Sequence, residues 1–100
     1  MTNFHSDETK KLFEAILLLD SEEECRNLFE DICTVKELLD LSQRLQIAGM
    51  LREGISYHEI SEKTGASTTT ISRVNRCLNY GSGGYKTVLE KLEKKENGGK

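Results

Sequence analysis

Residues 56–78, with the sequence SYHEISEKTGASTTTISRVNRCL, constrain the fold more than any other part of the chain. Ser56 with Glu59 three positions later is typical of a helix start. Gly65 can adopt the positive φ that ends a helix in a tight turn at no steric cost. A second helix is predicted to begin at Thr68. The stretch therefore predicts two short helices joined by a turn, which is the helix-turn-helix arrangement.

The second helix of this motif presents groups suited to reading duplex DNA. Ile60 and Ile71 are expected to pack the two helices together, as Val74 and Leu78 extend the packed face. Small hydroxyl side chains allow a helix to approach base edges in the major groove, and arginines bind phosphates or guanine. The predicted DNA-binding residues are Tyr57, His58, Ser67, Thr68, Thr69, Thr70, Ser72, Arg73 and Arg76. The alternative is that the hydroxyl run only caps the helix and faces solvent.

Helices are predicted over the rest of the chain as well, which makes the fold all-α. The chain contains no Pro, and strong helix formers occur throughout. A first helix is expected within 1–20, capped by Ser6 or Asp7, and a second begins with Ser21 at its cap. A long helix is expected to run from the Thr34 capping box to about Glu53. A last helix is predicted to follow the glycine-rich break at 81–84.

The helices before the motif carry wide apolar stripes that a single small chain cannot easily cover. The first helix offers Leu12, Phe13, Ile16, Leu17 and Leu19; the second offers Cys25, Leu28, Phe29, Ile32 and Cys33; the long helix offers Val35, Leu38, Leu39, Leu41, Leu45, Ala48 and Leu51. Burial against a second copy would cover these stripes, so we expect a symmetric, interlocked homodimer. A compact six-helix monomer is the alternative.

Charge is unevenly distributed along the chain, although its formal net value is only −3. Residues 1–40 hold eleven acidic and four basic side chains, and residues 41–89 hold three acidic and six basic ones. Polyanion binding depends on such a local basic face rather than on the total charge. The three cysteines and two histidines suit no zinc site. We expect a cytoplasmic protein with reduced thiols, no cofactor and no membrane segment.

The order and spacing of these residues resemble the bacterial Trp repressor family, and in particular its shorter Trp-repressor-like members without an assigned effector. The similarity extends over about residues 12–92. The segments that carry it are Thr34, Arg44-Leu45-Gln46-Ile47, Leu51-Arg52-Glu53-Gly54, Glu59-Ile60, Thr64-Gly65-Ala66 and Thr69-Thr70-Ile71-Ser72-Arg73, followed by Asn75 and Leu78. The resemblance implies an intertwined homodimer that binds a palindromic operator with water-rich base readout, a docking geometry taken from the Trp repressor itself.

The resemblance also implies an effector pocket, formed by Thr34, Arg44, Arg73, Val74 and Cys77. Arg44 and Arg73 match the arginines that flank the tryptophan effector and hold its carboxylate, and Thr34 matches a pocket threonine. Other pocket positions depart from the family. Val74 replaces a glycine, Cys77 replaces a serine, and Asp31 and Cys33 replace partner leucines, while one residue fewer separates Gly54 from Ser56. These departures oppose tryptophan as the ligand. A phosphate contact or an ion pair within the dimer is the alternative role for the two arginines.

Together these features predict one domain over 1–95. Residues 1–55 would form the dimerisation helices, 56–78 the helix-turn-helix and 85–95 the C-terminal helix, with a disordered tail at 96–100. The expected function is that of a transcriptional regulator, most simply a repressor, bound to an operator as a homodimer. A helical protein–protein interaction module is the alternative. An enzyme is the least favoured class, since the sequence shows no nucleophile–base pair and no glycine-rich phosphate loop.

Overall fold

The computed structural model describes residues 6–98, which form six α-helices and no strand. In chain order the helices are α1 (Asp7–Leu17), α2 (Glu22–Ile32), α3 (Val35–Arg52), α4 (Tyr57–Thr64), α5 (Thr68–Tyr80) and α6 (Gly84–Gly98). The predicted six-helix, all-α fold is confirmed. Two compact units make up the chain, an N-terminal one up to Leu38 and a C-terminal one from Leu39. Among the described helices, none has the length and apolar content needed to cross a bilayer.

Side-chain caps start the helices of the N-terminal unit at the predicted positions. The Ser6 hydroxyl accepts a hydrogen bond from the Thr9 amide at 3.2 Å, and residues 1–5 of the predicted first helix lie outside the described range. Thr34 and Glu37 form a full capping box, because each side chain accepts from the backbone amide of the other, at 3.1 and 2.8 Å. Such paired bonds satisfy amides that a helix start leaves without partners.

At the start of α2 the pairing is shifted by one residue. Ser21 accepts from the amide of Glu24 at 3.1 Å, as predicted. The Glu24 carboxylate, however, accepts from the amide of Asp20 at 2.8 Å, one residue before the cap. The helix start is therefore correct, and the returning bond reaches back one residue further than the usual capping box.

The N-terminal unit leaves large apolar side chains on its surface. No residue of α1 or α2 is buried. Leu17 is 83% exposed, Leu18 78% and Phe13 52%. Cys25 is also exposed, and Cys33 lies beyond the end of α2 in extended conformation. Cys33 therefore ends the helix instead of lying within it, and, like Leu28 and Phe29, it is half-buried. Burial of this apolar face against a second copy stays a prediction.

The hydrophobic core lies in the C-terminal unit. Its buried members are Ile47 and Ala48 from α3, Ile60 from α4, Ala66 from the turn, and Ile71, Val74 and Leu78 from α5. Met50, Leu51, Ile55, Tyr57, Tyr85 and Leu89 pack around this cluster as partly buried residues. The predicted packed face of the second motif helix is thus confirmed, and α4 and α5 are held to α3 and α6 by one shared core.

Only part of the predicted buried side of α3 is buried. Ala48 is in the core and Leu51 packs against it, whereas Leu39, Leu41 and Leu45 are exposed. Ile47, which the apolar spacing did not single out, is fully buried. Helical periodicity identifies an apolar side but does not say which part of it neighbouring helices cover. In this unit α4, α5 and α6 cover the sector of Ile47 and Ala48.

The junction between α5 and α6 requires a glycine at its first position. The Gly81 amide donates to the Cys77 carbonyl at 2.8 Å, and a Cβ on Gly81 would overlap that same carbonyl oxygen.

Ion pairs join α6 to the end of α3. The Arg52 guanidinium lies 3.7 Å from the Glu90 carboxylate and 3.9 Å from the Glu93 carboxylate on α6. The last helix runs from Gly84 to Gly98, so its predicted end at 95 is corrected. Good helix formers continue through Lys94, Lys95 and Glu96, and 99–100 lie outside the described range.

We expect the Ile60→Ala substitution to lower the free energy of unfolding by about 2–5 kcal/mol, because it leaves a cavity beside two other fully buried isoleucines. Urea unfolding followed by circular dichroism measures the change. The Lys91→Ala variant is the control, since Lys91 is exposed on α6. Equal stability losses in the two variants would contradict the assignment of Ile60 to the centre of the core.

Candidate nucleic-acid interface

The turn between α4 and α5 is held by a network of short hydrogen bonds. Gly65 adopts φ 78° and its amide donates to the Ser61 carbonyl at 2.8 Å. The Ser61 hydroxyl donates to the Ala66 carbonyl at 2.8 Å. The Thr64 hydroxyl donates to the Ile60 carbonyl at 2.8 Å and accepts from the Ala66 amide at 3.1 Å. The turn predicted from Gly65 is therefore confirmed, and polar side chains on both sides of the glycine fix its shape.

The hydroxyl run at the start of α5 divides into a cap and an exposed set. Ser67 is the N-cap, and its hydroxyl accepts from the Thr70 amide at 3.1 Å and contacts the Thr70 hydroxyl at 3.2 Å. Thr68, Thr69 and Ser72 are exposed. The capping interpretation thus describes Ser67 and Thr70, while the other three hydroxyls face solvent. The first-turn amides and the positive end of the helix dipole lie at the same end of α5.

Two arginines extend this exposed surface along α5. Arg73 and Arg76 are three residues apart, a spacing that places both on one side of a helix. Among residues 6–98, neither arginine has an ion pair with a carboxylate. Their charges are therefore available to an external anion. No acidic residue lies in the first turn of α5 to oppose them.

The two residues predicted at the start of α4 differ in exposure. Tyr57 is half-buried and packs against the core, so its ring contributes to the fold. His58 is 83% exposed and its Nε2 lies 3.4 Å from the Glu62 carboxylate one turn later. Of this pair, His58 is therefore the side chain that is open to solvent.

Three arginines line a cavity of about 500 Å³ formed by residues of α3, α5 and α6. Arg44 comes from α3, while Arg73 and Arg76 come from α5. The remaining lining residues are Thr70, Val74, Cys77 and Tyr85. No carboxylate lines the cavity, and Arg44, like the other two arginines, has no ion pair among the described residues. The cavity is consequently an open, strongly positive concavity, suited to an anion that carries carboxylate or phosphate groups.

The pKa of Tyr85 is shifted by its surroundings in this cavity. Burial raises the pKa of its phenol above the ordinary value of 10.0, and the nearby Cys77 raises it further, while the charge of Arg44 lowers it. A raised pKa means that folding favours the neutral phenol. The resulting stability is present below about pH 10 and is lost as the pH rises through the folded-state pKa. At neutral pH Tyr85 is therefore a neutral hydrogen-bonding group next to the arginines.

The structure brings together most of the predicted effector pocket. Arg44, Arg73, Val74 and Cys77 line the same cavity, as expected from the resemblance. Thr34 belongs to the N-terminal unit, where its hydroxyl is engaged in the capping box with Glu37. Arg76 and Tyr85 were not predicted as lining residues. The three-residue spacing from Arg73 could have indicated Arg76, whereas nothing in the sequence placed Tyr85 of α6 beside Cys77.

An apolar cavity of about 610 Å³ adjoins the arginine-lined one and shares Cys77 and Tyr85 with it. Leu45, Val88 and the glycine-rich junction at 81–84 form its other walls. Leu45 and Val88 remain partly open to solvent, at 36% and 45% exposure. Cys77 and Tyr85 thus line both the charged concavity and the apolar one.

Comparisons with known proteins agree with this fold. The family model described as Trp repressor protein matches residues 7–93. The uncharacterized protein YerC of Bacillus subtilis (strain 168) is 52% identical over 89 residues, covering 89% of this chain and 86% of YerC.

Solved structures extend the similarity to three dimensions. The crystal structure of a TrpR-like protein from Eubacterium eligens ATCC 27750 matches with a TM-score of 0.87 and 53% identity, covering 90% of this chain and 93% of that one. A candidate Trp repressor from Staphylococcus aureus matches with a TM-score of 0.86 and 42% identity, covering 93% and 96% of the two chains.

Proposed function

This chain belongs to the Trp repressor family, and from that premise we propose that it regulates transcription by binding duplex DNA in a sequence-specific manner. The family match and the TrpR-like fold support a DNA-binding regulator. The observation that carries the proposal is the exposed surface of α5 from its first turn to Arg76, where hydroxyl groups, first-turn amides and arginines without ion pairs lie together. A cytoplasmic repressor is the simplest form of such a regulator.

In the proposed complex α5 enters the major groove with its N-terminal end toward the bases. Thr68 and Thr69 are short enough to approach base edges, and their methyl groups suit thymine. The amides of the first turn and the helix dipole attract a phosphate. Arg73 and Arg76 neutralise further phosphates or bind a guanine edge, and His58 approaches the backbone from α4.

A helical protein–protein interaction module is the competing function. The acidic N-terminal unit and the net charge of −3 favour it to some degree. Such a module would have no need for the arginines of α5 to stay free of carboxylate partners. Substitution of these arginines separates the two functions.

We also propose that the protein acts as a homodimer bound to a palindromic operator. The exposed apolar residues of α1 and α2 support a dimer. Neither helix has a buried residue in the isolated chain. Apolar surface of this kind is costly in water, and a second copy presents the same stripe in return. Dimerisation would place two copies of α5 about 34 Å apart, one turn of DNA.

The arginine-lined cavity is proposed to take a small multiply charged acid as effector. Arg44, Arg73 and Arg76 offer three guanidinium groups, more positive charge than one amino-acid carboxylate neutralises. Val74 is only 3% exposed and lines the cavity with its branched side chain, which takes up space where the Trp repressor has glycine. Tryptophan is therefore a poor fit. The neutral phenol of Tyr85 can donate a hydrogen bond to the acid.

We expect the double substitution Arg73→Ala, Arg76→Ala to abolish sequence-specific DNA binding and to reduce the salt dependence of any remaining affinity. Loss of two phosphate contacts lowers the slope of log affinity against log salt by about 2, or ~0.9 for each contact. Fluorescence anisotropy on labelled duplexes measures both quantities. The variant Lys94→Ala, Lys95→Ala on α6 removes equal charge and is the matched control. Unchanged DNA affinity in the arginine variant, with or without loss of a protein partner, would reject the DNA-binding mode.

We expect the wild-type protein to sediment with twice the mass of one chain and the Leu17→Glu variant to sediment as a monomer. A carboxylate at this exposed position of α1 would be buried without a partner in the dimer. Sedimentation equilibrium measures the mass. The Lys11→Glu variant is the control for added negative charge, because Lys11 is another exposed residue of α1. A wild-type monomer at all concentrations would favour the compact six-helix monomer instead.

We expect citrate, a compact tricarboxylate, to bind the protein and L-tryptophan to give no measurable binding in isothermal titration calorimetry. Arg44→Ala should weaken citrate binding by roughly tenfold to a hundredfold, since it removes a charge-assisted pair worth about 1.5–3 kcal/mol. Lys86→Ala, which removes a charge outside the cavity, should leave binding unchanged. Tryptophan binding that depends on Arg44 would overturn the proposed ligand class. Absence of citrate binding, with DNA affinity lost in Arg44→Ala, would assign the arginines to DNA phosphates.

A further inference from the structure

One hydrogen bond fastens the long helix to the turn of the motif. Gln43 of α3 donates from Nε2 to the backbone carbonyl of Thr64 at 3.0 Å, across 21 residues of sequence. Thr64 is the last residue of α4, so its carbonyl has no partner within the helix. The amide side chain of Gln43 thus caps the C-terminal end of α4. Both residues are partly buried, which shields the bond from competing water.

The position of this bond matters because the turn behaves as one block. Thr64 is itself bonded through its hydroxyl to Ile60 and to the Ala66 amide. Ser61 closes the other side of the turn by donating to the Ala66 carbonyl. A displacement of the Thr64 carbonyl is therefore carried through the turn to the Ser67 cap and the start of α5.

The other contacts between α3 and the helix-turn-helix fix the distance between them better than they fix the orientation of α4 and α5. Ile47 and Ala48 meet Ile60 and Ile71 in the core, and apolar packing is non-directional. A hydrogen bond to a carbonyl prefers a narrow range of distance and angle. Without it, the α4–α5 block could tilt about the apolar contact at little cost.

We propose that Gln43 is a positioning residue that fixes the direction of the DNA-reading helix α5 relative to α3. The inference rests on the proposed function, because direction matters only if α5 enters a groove. In a dimer, the tilt of each α5 sets the separation of the two reading helices and hence the half-site spacing that both can occupy. Arg44, the next residue, lines the arginine cavity against α5. Consecutive residues of α3 therefore bond to the turn and line the cavity beside the reading helix.

The test measures affinity for duplexes that carry two identical half-sites at the preferred spacing and at spacings one base pair wider or narrower. The half-sites are those enriched from a random duplex pool by the wild-type protein. Gln43→Met removes the donor at nearly constant length. Gln43→Lys keeps a donor and adds a positive charge that suits a helix C-terminus. Gln46→Met, at an exposed position of α3 for which no hydrogen bond is described, is the matched control.

The expected result for Gln43→Met is a roughly threefold to tenfold loss of affinity at the preferred spacing, the equivalent of one hydrogen bond. At the shifted spacings the loss of affinity should be smaller. The ratio between the affinity at the preferred spacing and the affinity at the shifted spacings should therefore fall by up to the same threefold to tenfold. Gln43→Lys should restore the preference and Gln46→Met should keep it. A purely structural role would lower affinity for all spacings by the same factor, and that result, or no change at all, overturns the proposal.

A second measurement keeps the inference separate from the proposed function. Hydrogen exchange at the amides of Gly65 and Ala66 should be faster in Gln43→Met than in Gln46→Met, because the bonded turn would open more often. Wild-type protein that binds no duplex at all would overturn the proposed function. Faster exchange would then still show that Gln43 fixes the turn. Equal exchange rates in the two variants would overturn the inference even if DNA binding is confirmed.

Discussion

Packing of Ile60 against Ile71, with Ile47 of α3 behind them, is the contact on which the rest of the structure depends. These three are the largest fully buried side chains in the described chain. They bring together two short helices that would be unstable alone, since α4 has only 8 residues. Because the apolar residues of α5 are committed to this core, its other side is left to Thr68, Thr69, Ser72 and the arginines. The packing that forms the core therefore also exposes the proposed reading surface.

Local chemistry made the helix boundaries predictable, while contacts between distant residues were not. The Thr34–Glu37 capping box and the left-handed Gly65 each depend on a few neighbouring residues, and both lie where the sequence placed them. The buried sector of α3 depends on how α4, α5 and α6 pack, so periodicity suggested Leu39 and Leu45 and missed Ile47. Tyr85 and Gln43 meet their partners through tertiary packing alone. No local pattern in the sequence could identify them.

Departures from the Trp repressor pattern change the chemistry of the cavity more than its location. Arg44 and Arg73 still face one concavity, now joined by Arg76 and by the neutral phenol of Tyr85. Val74 belongs to the core and narrows the space for a flat aromatic ring. Arg73 and Arg76 therefore belong both to the proposed DNA-reading surface of α5 and to the lining of the cavity beside it. An acid bound there would neutralise arginines next to the reading surface, which provides a physical route from ligand to DNA affinity.

Selection of duplexes from a random-sequence pool by the wild-type protein, followed by sequencing of the bound fraction, tests the central claim most directly. The proposed function predicts enrichment of an inverted repeat whose half-site centres are about one helical turn, ~34 Å, apart. Enrichment should weaken as the salt concentration rises, because phosphate contacts release counterions. Failure to enrich any sequence at low salt, or retention of DNA that is insensitive to salt, would contradict it.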